Sequence, residues 1–361
     1  MPVPLFATSL DSYQAAIEER LGAVARSGRY ILGPEVEGFE REFAAYLGVE
    51  HCIGVANGTD ALTIALRALG VRPGNEVVLP SFTFYATAEA TVNAGARPVF
   101  CDVDPETFCV TSATVERVLS ERTKAIVPVH LFGNLAPIED LRALGPPVLE
   151  DAAQAAGATI DGRHAGALGD AATFSFFPSK NLPCLGDGGA IATDDPDVAE
   201  RVRRLRFHGS ADKQTFVDVG YNSRLDALQA AVLRLLLPEL DGWNSAREAA
   251  ARTYERDGLG ELMSLPRPSA GVRHVYHLYV VRHERADALA AALAGAGVEA
   301  RAYYRRPVHL QPAMTAFTRS PWPSSALPGT DEAARTHLAL PMGTHLSDDD
   351  IGRVIEACAT A

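Results

Sequence analysis

The sequence predicts an α/β protein with a mostly parallel central sheet and a smaller α+β unit at its C-terminal end. Two observations carry this. Short apolar runs alternate with segments of helical spacing up to about residue 150, and strands that alternate with helices build parallel sheets covered on both faces. The rhythm then breaks between residues 171 and 193, where two short apolar runs flank Lys180.

Taken in order, helix Tyr13–Ser27 leads in, and helix Pro34–Leu47 places Val36, Phe39, Phe43 and Leu47 at helical spacing. Strand Cys52–Val55 runs into the turn Asn57-Gly58-Thr59, which opens helix Asp60–Leu69. Strand Glu76–Leu79 follows, and SFTFYATAEATVNAG reads as a loop and a helix. Strand Pro98–Asp102, helix Ser112–Leu119, strand Ala125–Val129, helix Ile138–Leu144 and the short strand Val148–Leu149 continue the alternation. A long helical stretch begins at Arg224 and passes Pro238 toward Tyr254. Proline should kink or interrupt it, which makes it the hinge between residues 1–240 and 241–361. After Leu265 come strand Tyr276–Arg282, helix Arg285–Ala296, strand Glu299–Tyr303, a proline-rich loop at Ser320–Gly329 and two final helices.

Composition narrows the function. The 361 residues fit roughly two domains. A net charge of −12 argues against a general nucleic-acid binder, which needs clustered positive charge. Cys52, Cys101, Cys109, Cys184 and Cys358 are scattered and odd in number, with no CxxC pair, so neither a zinc site nor a disulfide framework is indicated. A reducing cytoplasm is the simplest compartment. The start, MPVPLFATSLDSYQ, lacks a basic segment followed by an apolar run, so no signal peptide is read. No apolar stretch reaches the roughly 18 residues of a membrane span. No GxGxxG follows a strand, and neither a Walker A sequence nor H-E-x-x-H occurs. His274 and His277 flank a strand in HVYHLYVV and read as packing residues, so no metal site is expected.

Three segments carry chemistry. Lys180 lies in FSFFPSKNLPCLGDGGAIATDD, after an aromatic run that ends at Pro178. A lysine at the mouth of such a strand is partly desolvated, which disfavours its charged form and frees a nucleophilic amine; otherwise it is a solvated turn residue. In PPVLEDAAQAAGA, Asp151 closes a short strand, where ligands of open α/β sheets bind; the plain alternative is a helix N-cap. Pyridoxal phosphate needs a lysine for its aldehyde and an acid against its pyridine nitrogen, and this pair suits both. In ANGTDALTIALRALG, Gly58 and Thr59 open a helix whose free N–H groups suit a phosphate, although ordinary capping gives the same pattern.

Together these segments resemble the sugar aminotransferases of the DegT/DnrJ/EryC1/StrS family. The likeness extends to YILGPEVEGFEREFAAYLG, LPSFTFYATAEATVNAGARPVFCDVD, VPVHLFGNLAPIEDL and GYNSRLDALQAAVLRLLLPELDGWNSAR, and continues in HLQPAM. The resemblance implies the type I fold of pyridoxal-phosphate-dependent transferases, as in aspartate aminotransferase, with residues 1–240 as the cofactor domain. It implies that Lys180 forms the imine and moves the proton, and that Asp151 faces the pyridine nitrogen. It places Gln154 near the phenolic oxygen, Phe84 against the ring face, and Gly58, Thr59 and Ser175 at the phosphate. Asn222 matches a residue donated to that phosphate by a neighbouring subunit, which implies a homodimer with shared sites.

Substrate contacts follow less directly. Tyr30, Tyr221, Tyr303 and His309 stand in the blocks that reach the sugar nucleotide in this family. Here the chain departs from the family's Tyr-Pro pattern with Tyr303-Tyr304-Arg305-Arg306-Pro307. Arg305 or Arg306 is expected to meet a substrate diphosphate, because guanidinium forks suit phosphate oxygens; a solvated surface pair is the alternative. The implied reaction moves an amino group from L-glutamate to a dTDP- or UDP-linked keto sugar. The GDGG block resembles the 3-keto members more than the 4-keto ones. Two other readings remain: a keto-sugar dehydratase, whose relatives carry histidine in place of the lysine, and a non-catalytic regulator on the same fold.

Overall fold

In the computed structural model, which describes residues 2–317 and 327–360, seven strands form one central sheet. Their order is His51–Val55, Gly189–Thr193, Ala171–Ser175, Leu149–Asp151, Thr123–Ile126, Glu76–Pro80 and Arg97–Cys101. Parallel bridges Ile126 to Val148 and Val129 to Asp151 join its two halves. Gly189–Thr193 runs antiparallel to both of its neighbours, and the remaining pairs are parallel. The strands Glu76–Pro80 and Gly189–Thr193 are buried along their whole length, as expected of a sheet covered on both faces.

The side chains alternate between two cores. Val77, Leu79, Ile53 and Ile191 pack with helices Gly58–Ala68 and Pro196–Leu205 on one face. Val78, Cys52, Ala172 and Phe174 pack with helices Pro34–Leu47 and Ala227–Leu236 on the other. The period of two along each strand produces this division. Phe39, Phe43, Phe174 and Phe176 meet edge-to-face in the second core. A third core joins helices Leu240–Arg256, Ala286–Gly295 and Asp348–Ala359 to the antiparallel pair Tyr279–Arg282 and His337–Leu340. Val3 and Phe6 bridge to Val298 and Met342, so the first residues lie on this layer.

Most expected elements are present, with shifted ends. Pro238 breaks the long helix as foreseen: a 3-10 turn, Leu237–Glu239, separates Ala227–Leu236 from Leu240–Arg256. The expected strand Glu299–Tyr303 does not form; Glu299 N donates to Val3 O at 3.0 Å and Arg301 bridges to Ala339. The partner of Tyr279–Arg282 is His337–Leu340, a strand absent from the sequence reading. Helix Pro196–Leu205 was also missed, although Asp195 caps it by accepting from Asp197 N and Val198 N. The expected loop Ser320–Gly329 lies mostly outside the described residues, and its end, Gly329, belongs to helix Pro328–Thr336. Among the described residues no helix is long and apolar enough to cross a membrane, and all five cysteines are free and buried.

Candidate active site

Asp151 ends the middle strand of the sheet and is 5% exposed. The residues after it form turns, so it caps no helix. Thr87, in helix Ala86–Asn93, donates its hydroxyl to Asp151 Oδ2 at 2.9 Å. Ala153 N–H points at Oδ1 from 3.3 Å. Burial raises the Asp151 pKa, and the bonds from Thr87 and Ala153 and the nearby Lys180 only partly oppose it. On the opposite face Glu150 accepts from His130 Nε2 and from the N–H groups of Gly166, Leu168 and Gly169. Burial would push this carboxyl up; the imidazole and the backbone donors outweigh it and hold it down. The loop at 166–169 is thereby tied to the strand that presents Asp151.

Lys180 stands in the turn between two adjacent antiparallel strands, with its N–H bonded to Phe177 O at 2.8 Å. Desolvation pushes its amine down to about 8, and Asp151 pulls weakly the other way. Asn181 beside it is locked: its Nδ2 donates to Asn244 Oδ1 and Val275 O, and its Oδ1 faces His277 Nδ1 at 3.2 Å. Lys180 and Asp151 line one cavity of about 770 Å³. They feel each other's charge yet form no ion pair among the described residues, so amine and acid both face the cavity unpaired with each other.

The far end of the cavity suits an anion. Gly58 and Thr59 open helix Gly58–Ala68, and Asn57 caps it by accepting from Asp60 N at 2.8 Å. The helix therefore starts at Gly58, two residues before the expected Asp60. A Cβ on Gly58 would lie 2.8 Å from Ser175 Cβ, and one on Gly189 would lie 2.5 Å from the Asn57 carbonyl. Bare backbone N–H groups at a helix start and the Ser175 hydroxyl thus face the same space, a fit for a phosphate. Phe84, 59% exposed, lines the same cavity. Gln154 accepts from Phe132 N at 2.7 Å and donates to Tyr304 OH at 3.2 Å.

A family model described as the DegT/DnrJ/EryC1/StrS aminotransferase family matches residues 11–359. The chain belongs to that aminotransferase family. A curated relative of Geobacillus stearothermophilus, named pleiotropic regulatory protein, is 44% identical over 99% of this chain and 98% of its own. The dTDP-3-amino-3,4,6-trideoxy-alpha-D-glucose transaminase of Streptomyces venezuelae is 45% identical over 96% and 93%. The solved structure of S. venezuelae DesV in complex with ketimine intermediate superposes at a TM-score of 0.94, with 44% identity over 99% of this chain and 97% of that one. The structure of NtdA from Bacillus subtilis with bound cofactor PMP gives 0.90 and 30% identity over 100% and 84%.

For an aminotransferase of this family, the cavity gathers Lys180, Asp151, Gly58, Thr59, Phe84, Gln154, Ser175 and Tyr303 among its walls. The other expected site residues lie outside it. Arg305 turns away to Asp287 at 2.7 Å and to the carbonyls of Ala334 and Arg335. Arg306 Nε bonds Leu310 O at 2.7 Å. His309 Nδ1 meets the Ser81 hydroxyl. Tyr221 lies under the Arg67 guanidinium, and Tyr30 donates to Ala25 O. Asn222 is exposed, on an irregular hairpin bridged to Phe207. The sequence reading missed Thr87, His277, Arg301 and Tyr304, which all line the cavity. For the buried Tyr304 the signal was only general: tyrosine is intermediate in its tendency to be buried.

Proposed function

We propose that this chain is a pyridoxal-phosphate-dependent aminotransferase that converts a nucleotide-linked keto sugar to the amino sugar. The observation that carries this reading is the pair Lys180 and Asp151 on one cavity, coupled in charge but not ion-paired. When bound, the cofactor supplies an aldehyde carbon and a protonated ring that takes up electrons. Lys180 Nζ holds and releases that aldehyde. As a free amine, with its pKa near 8, it takes the proton from the amino-bearing carbon and returns it. Asp151, held by Thr87, keeps the ring nitrogen protonated; its burial makes a charged partner there more favourable than water. Gly58, Thr59 and Ser175 bind the phosphate, Phe84 covers the ring face, and Gln154 faces the phenolic oxygen.

Further details of the proposal rest on the family. L-glutamate is the donor, and a dTDP- or UDP-linked 3-keto sugar is the acceptor; the name of the S. venezuelae relative supports the 3-position, with a 4-keto sugar as the alternative. Asn222 reaches the phosphate of a second copy, so the enzyme is a homodimer with shared sites, and its free cysteines suit a reducing cytoplasm. We divide the chain at residues 1–240 and 241–361, and the separate third core supports a second unit. The name of the G. stearothermophilus relative favours a regulatory reading, but a regulator has no need of the paired amine and acid. A dehydratase is disfavoured by the lysine itself.

The test is direct. Purified protein should be yellow and bleach with L-glutamate. Colour should return on adding the right keto sugar, drawn from dTDP- and UDP-linked 3-keto and 4-keto candidates, with the product read by NMR. A colourless protein that takes up no cofactor sinks the reading.

A further inference from the structure

Among the described residues, six charged ones line the large cavity: the acids Asp60, Glu89, Asp151 and Asp187, and the cations Lys180 and Arg301. Lys180 is committed to the floor opposite Asp151. Arg301 has no carboxylate at ion-pair distance among the described residues, whereas its neighbours Arg282 and Arg305 hold Glu332 and Asp287. Its backbone is fixed, exchanging hydrogen bonds with Ala339 at 3.1 and 2.9 Å. Its guanidinium lies 5.5 Å from the centre of the Tyr303 ring, two residues on. Residues two apart on an extended segment share a face, so both reach the same wall. Arg301 and Phe6 also line an adjoining groove of about 500 Å³, between the N-terminal segment and residues 294–301. Arg301 therefore stands where the cavity meets this groove, whose lining also includes Glu299.

We propose that Arg301 is the anion-binding and specificity-determining residue of this site. Its rigid fork takes two oxygens of a phosphate or carboxylate side by side, on a wall that offers no other cation among the described residues. This is the place the sequence reading gave to Arg305 and Arg306. The proposal rests on the aminotransferase reading, which brings two such anions: the diphosphate of a sugar nucleotide and the carboxylates of the amino donor.

The experiment titrates full-length cofactor-loaded protein by calorimetry with UDP, dTDP and glutarate, for wild type, Arg301→Gln and Arg301→Lys. The Gln variant should bind one class about tenfold to a hundredfold more weakly, with the Lys variant between and the cofactor absorbance unchanged. Loss confined to the nucleotides assigns the diphosphate, loss confined to glutarate assigns the donor, and loss of both assigns a shared subsite. Equal affinities for wild type and Gln variant, or a wild type that binds none of the three, overturn it. Binding needs no turnover, so an enzyme that proves inactive refutes the reading above without deciding this one.

Discussion

The Thr87 hydroxyl donates to Asp151 Oδ2 at 2.9 Å and ties the first turn of helix Ala86–Asn93 to the acid at the end of the central strand. Phe84 stands just before that helix and lines the same cavity. One hydrogen bond therefore couples the segment that carries Phe84 to the acid at the end of the strand. Thr87→Val keeps the shape and removes the donor. A hydrogen bond to a charged group contributes roughly 1.5–3 kcal/mol, so kcat should fall by about tenfold or more. Asp151→Asn should fall much further, because an amide cannot keep the ring nitrogen protonated. Steady-state rates of the two variants check the order; equal losses would contradict it.

Lys180 gives the pH prediction. Its folded pKa lies near 8, below the ordinary value of 10.5. The amine is thus mainly neutral above about pH 8 and protonated below it. Cofactor attachment to apoprotein should accelerate as pH rises and level off near that value, losing about tenfold per pH unit below it. Stopped-flow absorbance between pH 6 and 10 reads this out. Lys180→Ala should abolish both half-reactions and leave nothing for borohydride to fix. A midpoint near 10.5 would show that the lysine is solvated.

Sequence made the floor of the site legible and left its walls hidden, for physical reasons. Lys180, Asp151 and Gly58 announce themselves because each ends or opens an element, where ligands meet open sheets. Thr87 and Arg301 act across long sequence separations, and no local pattern says which way a threonine in a helix or an arginine in a loop points. Arg305 and Arg306 were expected at the site from the block they stand in and from the match of guanidinium to phosphate; here Arg305 pairs with Asp287 and Arg306 Nε bonds Leu310 O. The strand His337–Leu340 is four residues long and pairs with a distant strand, which local periodicity cannot reveal.

Arg305→Ala should therefore leave KM for both substrates unchanged. Its partner Asp287 is largely exposed, with side-chain exposure of 87%, so the ion pair contributes at most about 1 kcal/mol. Thermal unfolding should shift by only a few degrees. A several-fold rise in KM for the sugar nucleotide would return Arg305 to the site.

Gly58 is the close-approach position of the anion end. Alanine there brings Cβ to 2.8 Å from Ser175 Cβ, inside any ordinary carbon contact, so helix start and strand must part. The first N–H groups of the helix then move off the proposed phosphate position. Gly58→Ala should weaken retention of the cofactor by about tenfold or more while the fold persists, since overpacking costs roughly 1–3 kcal/mol. Equilibrium dialysis against pyridoxal phosphate measures it. Undiminished retention would place the phosphate elsewhere.

The proposed dimer gives a test that depends on sharing. Phe216, Val217 and Val219 are 59%, 61% and 85% exposed on the irregular hairpin that also carries Asn222. If these exposed apolar residues form the interface of the proposed dimer, Val219→Glu should convert it to monomer in sedimentation. If Asn222 completes the site of the other copy, Lys180→Ala and Asn222→Ala damage different halves of each site. A heterodimer of the two variants then keeps one intact site, and the other carries both defects. With symmetric pairing, random reassociation of equal amounts makes half of the dimers mixed, so about a quarter of wild-type activity should return from two inactive parents. No recovery, with mixed dimers demonstrated by mass, would confine Asn222 to its own chain.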